Sequence, residues 1–169
     1  KQISQIVKGY TYSENDLAEY QGQFLSFDHH SSFNKHSCSS ALEEINPRIQ
    51  QARAVLKEAD VLFISLGSAW VWERIQNKQI VNNCHKFPLS EFNKKLLSYE
   101  EVEDSLNRIM STLNEFAPQL KVVFTISPVR HWRHGAVDNM HSKSVLHAAI
   151  QSVVKNSAKA YYFPSYEIM

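Results

Sequence analysis

The chain has 169 residues, one domain's worth, enough to bury roughly 70% of the surface its unfolded form exposes. Its 43% hydrophobic and 21% charged residues are those of an ordinary globular protein and exclude a disordered tail or a coiled coil. A net charge of +1, from 18 basic and 17 acidic side chains, offers no bulk attraction to nucleic acid or an anionic membrane, and apolar runs such as Val61–Leu66 fall far short of the roughly 20 residues that span a bilayer.

Lys1–Lys8 reads as the tail of a helix, with Ile3, Ile6 and Val7 on one face. The opening Lys1-Gln2-Ile3 carries no Met, which leaves room for an upstream targeting segment. The segment 9–23 is turn-rich, and Phe24–Phe27 reads as a short extended piece before Asp28-His29-His30. From Ser39 to Ala59 the residues Leu42, Ile45, Ile49, Ala52, Val55, Leu56 and Ala59 keep helical spacing. Pro47 interrupts them, so the sequence predicts a kink, or a fresh start with Asn46 as N-cap.

Val61–Leu66 is short, apolar and β-branched and reads as a strand buried on both faces. Val71–Val81 alternates around Asn77-Lys78 as a small hairpin would. Ser98 and Glu101 form a capping box opening a helix with a stripe of Val102, Leu106, Ile109, Met110, Leu113 and Phe116, closed by Pro118. Lys121–Ser127 is a second buried strand, followed by a polar His- and Arg-rich loop, a helix over Ser142–Asn156 and a third strand, Ala160–Phe163. Helix and strand alternate, so the expected fold is α/β: one domain over 1–169, a three-layer α/β/α sandwich around a parallel sheet.

In open parallel sheets, ligands bind beyond the carboxyl ends of the strands. That rule selects the segments starting at Gly67, Pro128 and Pro164, and with them Gly67, Ser68, Arg130 and His131. An Arg-His pair supplies a permanent cation and a titratable base, suited to an ester or another oxyanionic group. Ser68 has a second reading as a turn former. As a nucleophile it lacks the completed G-x-S-x-G elbow, because Trp70 stands where the last glycine belongs. Four glycines in all, with no G-x-G-x-x-G and no Walker motif, argue against a phosphate-binding loop. His29, His30, His36, His131, His134 and His141 invite a metal reading, but H-E-x-x-H and C-x-x-C are both absent. The expectation is no metal and no cofactor. Two cysteines are too few for a disulfide scaffold and lean towards a reducing, cytoplasmic setting.

Five segments taken together carry a resemblance. They are Ser26-Phe27-Asp28-His29-His30-Ser31, Leu66-Gly67-Ser68-Ala69-Trp70, Val81-Asn82-Asn83-Cys84-His85-Lys86, Ser127-Pro128-Val129-Arg130-His131 and Tyr162-Phe163-Pro164-Ser165-Tyr166-Glu167. In that order, along essentially the whole chain, they resemble the GSCFA-domain family, bacterial relatives of the SGNH (GDSL-like) hydrolases. The resemblance implies a flavodoxin-like sandwich and acyl-ester hydrolysis by a serine. It also brings Asn83, His85, His29 and His30 to the candidate pocket beside Gly67, Ser68, Arg130 and His131. The Gly-Ser-Cys-Phe-Ala segment is absent, and no Asp-x-x-His follows Glu167. The nucleophile and the catalytic Asp and His are therefore expected outside this chain. Ala69 falls where the SGNH oxyanion asparagine belongs. The expected partner is a small-molecule or carbohydrate ester, with no nucleic acid and no membrane; nothing in the sequence fixes an oligomeric state. The alternatives are a non-catalytic module binding a carbohydrate or acyl ligand and, on histidine count alone, a metal-dependent phosphoesterase.

Overall fold

The computed structural model describes residues 1–130 and 135–169. In chain order the elements are α1 (Gln2–Lys8), β1 (Ala18–Tyr20), β2 (Gln23–Leu25), α2 (Cys38–Glu58), β3 (Val61–Leu66), β4 (Trp70–Arg74) and β5 (Ile80–Val81). Then come β6 (Phe92–Leu96), α3 (Tyr99–Phe116), β7 (Lys121–Ile126), α4 (Gly135–Asn156), β8 (Ala160–Phe163) and α5 (Ser165–Ile168). The fold is mixed α/β, about 49% helical and 21% strand, with a parallel sheet flanked by helices as in a three-layer α/β/α architecture. The chain divides into two compact units, Lys1–Val55 with Val71–Lys95, and Leu56–Trp70 with Leu96–Met169.

The first unit is built from short pieces. Helix α1 ends at Gly9 with φ +63°, and the N–H groups of Gly9 and Tyr10 donate back to Ile6 O and Gln5 O, an end that calls for a left-handed residue. Strands β1 and β2 pair antiparallel across Gln21 and Gly22, whose φ angles of 51° and 70° match the twist of a two-residue hairpin. The hairpin expected around Asn77-Lys78 forms as β4 and β5, with Trp72 opposite Val81, and β6 lies on the other side of β4. Strand β6, Phe-Asn-Lys-Lys-Leu, has no apolar signature, and its only buried residue is Phe92. Leu25, Phe27, Val81 and Phe92 form one core cluster; Tyr12, Ile45 and Ile49 form another.

Pro47 neither ends nor restarts α2, which is assigned as one helix from Cys38 to Glu58. Proline deprives that helix of one hydrogen bond, but Ala41, Ile45 and Ile49 are 0%, 0% and 8% exposed, and their burial holds the flanking turns in register. Asn46 is no cap either. Its Oδ1 accepts the Tyr12 N–H at 2.7 Å and its Nδ2 donates to Tyr12 O at 3.0 Å.

In the second unit β3, β7 and β8 lie in that order and pair parallel, with Phe63 opposite Val123 and Val123 opposite Tyr161. The capping box holds: Ser98 Oγ accepts the Glu101 N–H and Glu101 accepts the Ser98 N–H. The order β3-β7-β8 steps one way across the sheet, so right-handed crossovers put α3 and α4 on the same face. There the two helices pack on each other, α4 meets β7 and β8, and Leu106, Met110, Leu113, Val122, Phe124, Ile126, Leu146 and Ile150 are buried. The same geometry corrects the expectation that Val61–Leu66 is buried on both faces. Its alternate residues Val61 and Phe63 are 45% and 66% exposed. Helix α4 also starts a full turn or more before Ser142, at Gly135, with Asp138 in its first turn, where a carboxylate favours the helix dipole.

Candidate functional site

At the carboxyl edge of the parallel sheet, the Ser127 N–H donates to Leu66 O at 3.0 Å and extends the pairing of β3 with β7. The next two carbonyls, Gly67 O and Ser127 O, both accept from Lys143 Nζ, each at 2.7 Å. Lys143 comes from α4 and is only 2% exposed. Its ammonium lies 5.4 Å from the centre of the Tyr166 ring, within cation–π reach. Among the described residues no carboxylate lies within ion-pair distance of it, and burial pulls its pKa below the ordinary lysine value.

The neighbouring Ser142 settles what Ser68 does in this structure. Ser142 Oγ accepts the Ala69 N–H at 2.7 Å and shares a hydrogen bond of 3.1 Å with Ser68 Oγ. Ser68 Oγ in turn accepts the Trp70 N–H at 3.0 Å. The hydroxyl closes a local turn, and the amides of Ala69 and Trp70 are both engaged rather than presented to an oxyanion. At the end of β8, Ser165 Oγ donates to Ile126 O at 2.6 Å and is also bonded to Thr125 Oγ1. Tyr162 OH donates to both Glu167 oxygens, at 2.6 and 2.8 Å, and His147 Nε2 lies 3.6 Å from Glu167. Burial and this carboxylate push the Tyr162 phenol well above its usual range. A cavity of about 300 Å³ opens here, walled by Lys143, Ser144, His147, Tyr166 and Glu167, with Ile126 and Met140 as its apolar side. Arg130 follows β7 in the same unit; it is exposed, and its side chain has no hydrogen bond or ion pair to another described residue. His131 lies outside the described residues.

The other predicted residues belong to the first unit, where the Phe27-Asp28-His29 and Asn82–His85 segments meet. The N–H groups of Asn82 and Asn83 donate to Phe27 O at 2.9 and 3.3 Å, and Asn82 Nδ2 donates to Asp28 O. His85 Nε2 is 2.9 Å from Ser26 O, which places the proton on Nε2 and leaves Nδ1 as an acceptor; Asn34 Nδ2 stands 3.5 Å from it. His29 Nδ1 is 3.0 Å from Ser26 Oγ. Burial lowers the pKa of both His29 and His85. His85 has φ 52°, a left-handed conformation that costs a non-glycine residue about 1–3 kcal/mol; the bond from its N–H to Asn83 Oδ1, 2.8 Å long, holds it there. His30 is exposed and caps the short turn Ser31–Phe33 through Nδ1. Asp28 is 6% exposed and accepts from Tyr12 OH at 3.1 Å and from Lys1 Nζ at 2.7 Å. A cavity of about 510 Å³ is lined by Tyr20, Gln23, Asn34, Asn83, His85 and Lys86, among others.

The model of the GSCFA family matches residues 1–169. The chain belongs to the GSCFA family. Nothing among curated proteins or solved structures matches it. In this GSCFA chain, then, Gly67 and Ser68 join one hydrogen-bonded cluster with Ser142 and Lys143, while His29, Asn83 and His85 join another around Ser26–Asp28. The sequence reading places Ser142 and Lys143 at the start of a helix and gives neither a place at the site, although helical spacing back from Leu146 and Ile150 lands on them. Among the described residues no group of three or more His, Cys, Asp or Glu side chains is placed to hold a metal ion. No helix among them is long and apolar enough to cross a membrane.

Proposed function

We propose that this GSCFA chain takes part in acyl-ester hydrolysis of the SGNH type, with the carboxyl edge of β3, β7 and β8 as the ester-binding side and a serine other than Ser68 as nucleophile. The observation that carries the reading is the convergence of Gly67, Ser127 and Ser165 from three strand ends into one polar cluster beside a cavity. That is where ligands of open parallel sheets bind. The reaction it serves is attack by a serine on the ester carbonyl, loss of the alcohol, and hydrolysis of the acyl-serine by water. The reading gives the attacking role to another serine because Ser68 Oγ accepts the Trp70 N–H and shares a hydrogen bond with Ser142 Oγ.

The test is an ester series, from p-nitrophenyl acetate to longer acyl chains, assayed with the full-length protein. Turnover that survives Ser68→Ala is the expected result; turnover abolished by Ser68→Ala, with the fold intact, would restore Ser68 as nucleophile. No turnover of any ester would sink the hydrolase reading.

One observation favours a second reading, a binding module for a carbohydrate. Asn34 Oδ1 is buried without a hydrogen-bond partner among the described residues, and Asn34 lines the larger cavity together with Gln21, Gln23 and Asn83. Amide-rich walls with an idle acceptor suit a ligand rich in hydroxyl donors. Saturation-transfer NMR with a panel of monosaccharides, on the wild type and Asn34→Ala, separates this reading from the first.

A further inference from the structure

We propose that the cavity beside α4 and the end of β7 is a carboxylate-binding site in which the Lys143 ammonium takes the anion. An ammonium has three N–H donors. Two are spent on Gly67 O and Ser127 O, each at 2.7 Å, and the third has no hydrogen-bond partner among the described residues. Lys143 lines the cavity together with the ring it faces, Tyr166. The charge is almost wholly buried, and among the described residues it meets only carbonyl dipoles and a ring face. A cation desolvated in that way is stabilised by any anion that reaches it. The two carbonyl bonds also fix Nζ in advance, so an anion is bound without the ordering cost of a free surface lysine.

The chemistry of the walls narrows the ligand. One spare donor and one positive charge suit a compact monoanion. A phosphate dianion recruits several donors or an arginine fork, and no arginine among the described residues lines this cavity. Glu167 shares the wall and would repel a dianion further, although its oxygens already accept from Tyr162 OH and lie near His147. Ile126 and Met140 give the cavity an apolar side, which fits a short hydrocarbon tail. The ligand class is therefore a short-chain carboxylate, or an ester that carries a free carboxylate. This rests on taking the carboxyl edge as the ligand side, as the hydrolase reading does, but it requires binding and not turnover.

The experiment uses the full-length protein uniformly labelled with ¹⁵N, titrated with sodium butyrate and separately with neutral butyramide. Butyrate should move the Lys143 ¹⁵Nζ resonance saturably, together with the backbone amides of Ser127 and Tyr166. Butyramide should bind at least about tenfold more weakly, the loss of one charge-assisted hydrogen bond. In Lys143→Met the amide shifts should disappear. Should that variant fail to fold, the wild-type Nζ response and the contrast between the two ligands decide alone. An Nζ resonance that butyrate leaves in place, or equal affinity for butyrate and butyramide, overturns the proposal. Ester turnover with no response at Nζ would discard this site and keep the hydrolase reading; a butyrate response with no turnover would do the reverse.

Discussion

The two units of this GSCFA chain meet the same demand, satisfying backbone groups exposed where the chain turns, with different chemistry. In the first unit the turn at Ser26–Asp28 is met by His85 Nε2 and by side-chain and backbone N–H groups of Asn82 and Asn83. Its one buried charge, Asp28, has a cation and a phenol beside it. In the second unit two strand-end carbonyls are met by a buried lysine with no carboxylate beside it among the described residues. Neutral donors complete that turn without leaving a charge. A lysine completes the other and leaves a charge and, among the described residues, a donor, which is what the proposed anion site uses, while the first cluster accounts for most of its own polar atoms internally.

The largest expected effect tests the closed network. Asp28→Ala strands the Tyr12 hydroxyl, which is in a residue only 3% exposed, and should cost about 3 kcal/mol. Asp28→Asn keeps an acceptor for Tyr12 and loses only the ion pair with the half-exposed Lys1, so about 1 kcal/mol is expected. Urea titration of both variants checks the order. Equal losses would mean that the Tyr12 bond does not hold this turn, and the contrast between the units would lose its first half.

How much of this was readable in advance depends on the kind of signal. Strands β3, β7 and β8 and helix α3 announce themselves by apolar runs, a capping box and proline stops, signals that local physics alone decides. Strand β6 does not, because Asn93, Lys94 and Lys95 become strand only by pairing beside β4. The exposure of Phe63 follows from the direction of two crossovers, which no single segment encodes. Gly67 and Ser68 were picked out by the strand-end rule, and the structure joins them to Ser142 and Lys143. Lys143 was not picked out, since a helix stripe is sought among apolar residues. Yet Asn139, Ser142, Lys143, Leu146, Ala149, Ile150 and Val153 are its buried positions, and a polar start to that stripe was the available clue. His85 and Asn83 were placed by resemblance alone, for nothing local says that their loop closes on Ser26.

A smaller effect sharpens the comparison through pH. His29 and His85 titrate below their ordinary value of 6.5 because they are buried. Between the folded value and 6.5 the unfolded chain therefore binds more protons, and stability rises with pH until the contribution is complete above 6.5. Lys143, depressed by burial from 10.5, gives a rise of the same sign in a separate window ending at 10.5. Hydrogen exchange of amides in each unit should show the acid loss flattened by His85→Asn and the alkaline gain flattened by Lys143→Met. Both slopes moving together in either variant would break the separation.

The smallest expected effect concerns Arg130, the residue that the strand-end rule singled out most directly. It is exposed, and its side chain has no hydrogen bond or ion pair to another described residue. With no such bond among the described residues, Arg130→Ala should change stability by less than about 0.5 kcal/mol. Lys143, in contrast, gives two of its three donors to the fold. If Arg130 holds an anionic group of the substrate, Arg130→Lys should still lower kcat/KM for ester hydrolysis in the full-length protein, because lysine loses the planar fork. The decisive pairing is an unchanged melting curve with reduced kcat/KM. Unchanged kinetics in both variants would leave Lys143 as the cation that a ligand meets at this edge, whereas a marked loss of stability would show that Arg130 serves the fold after all.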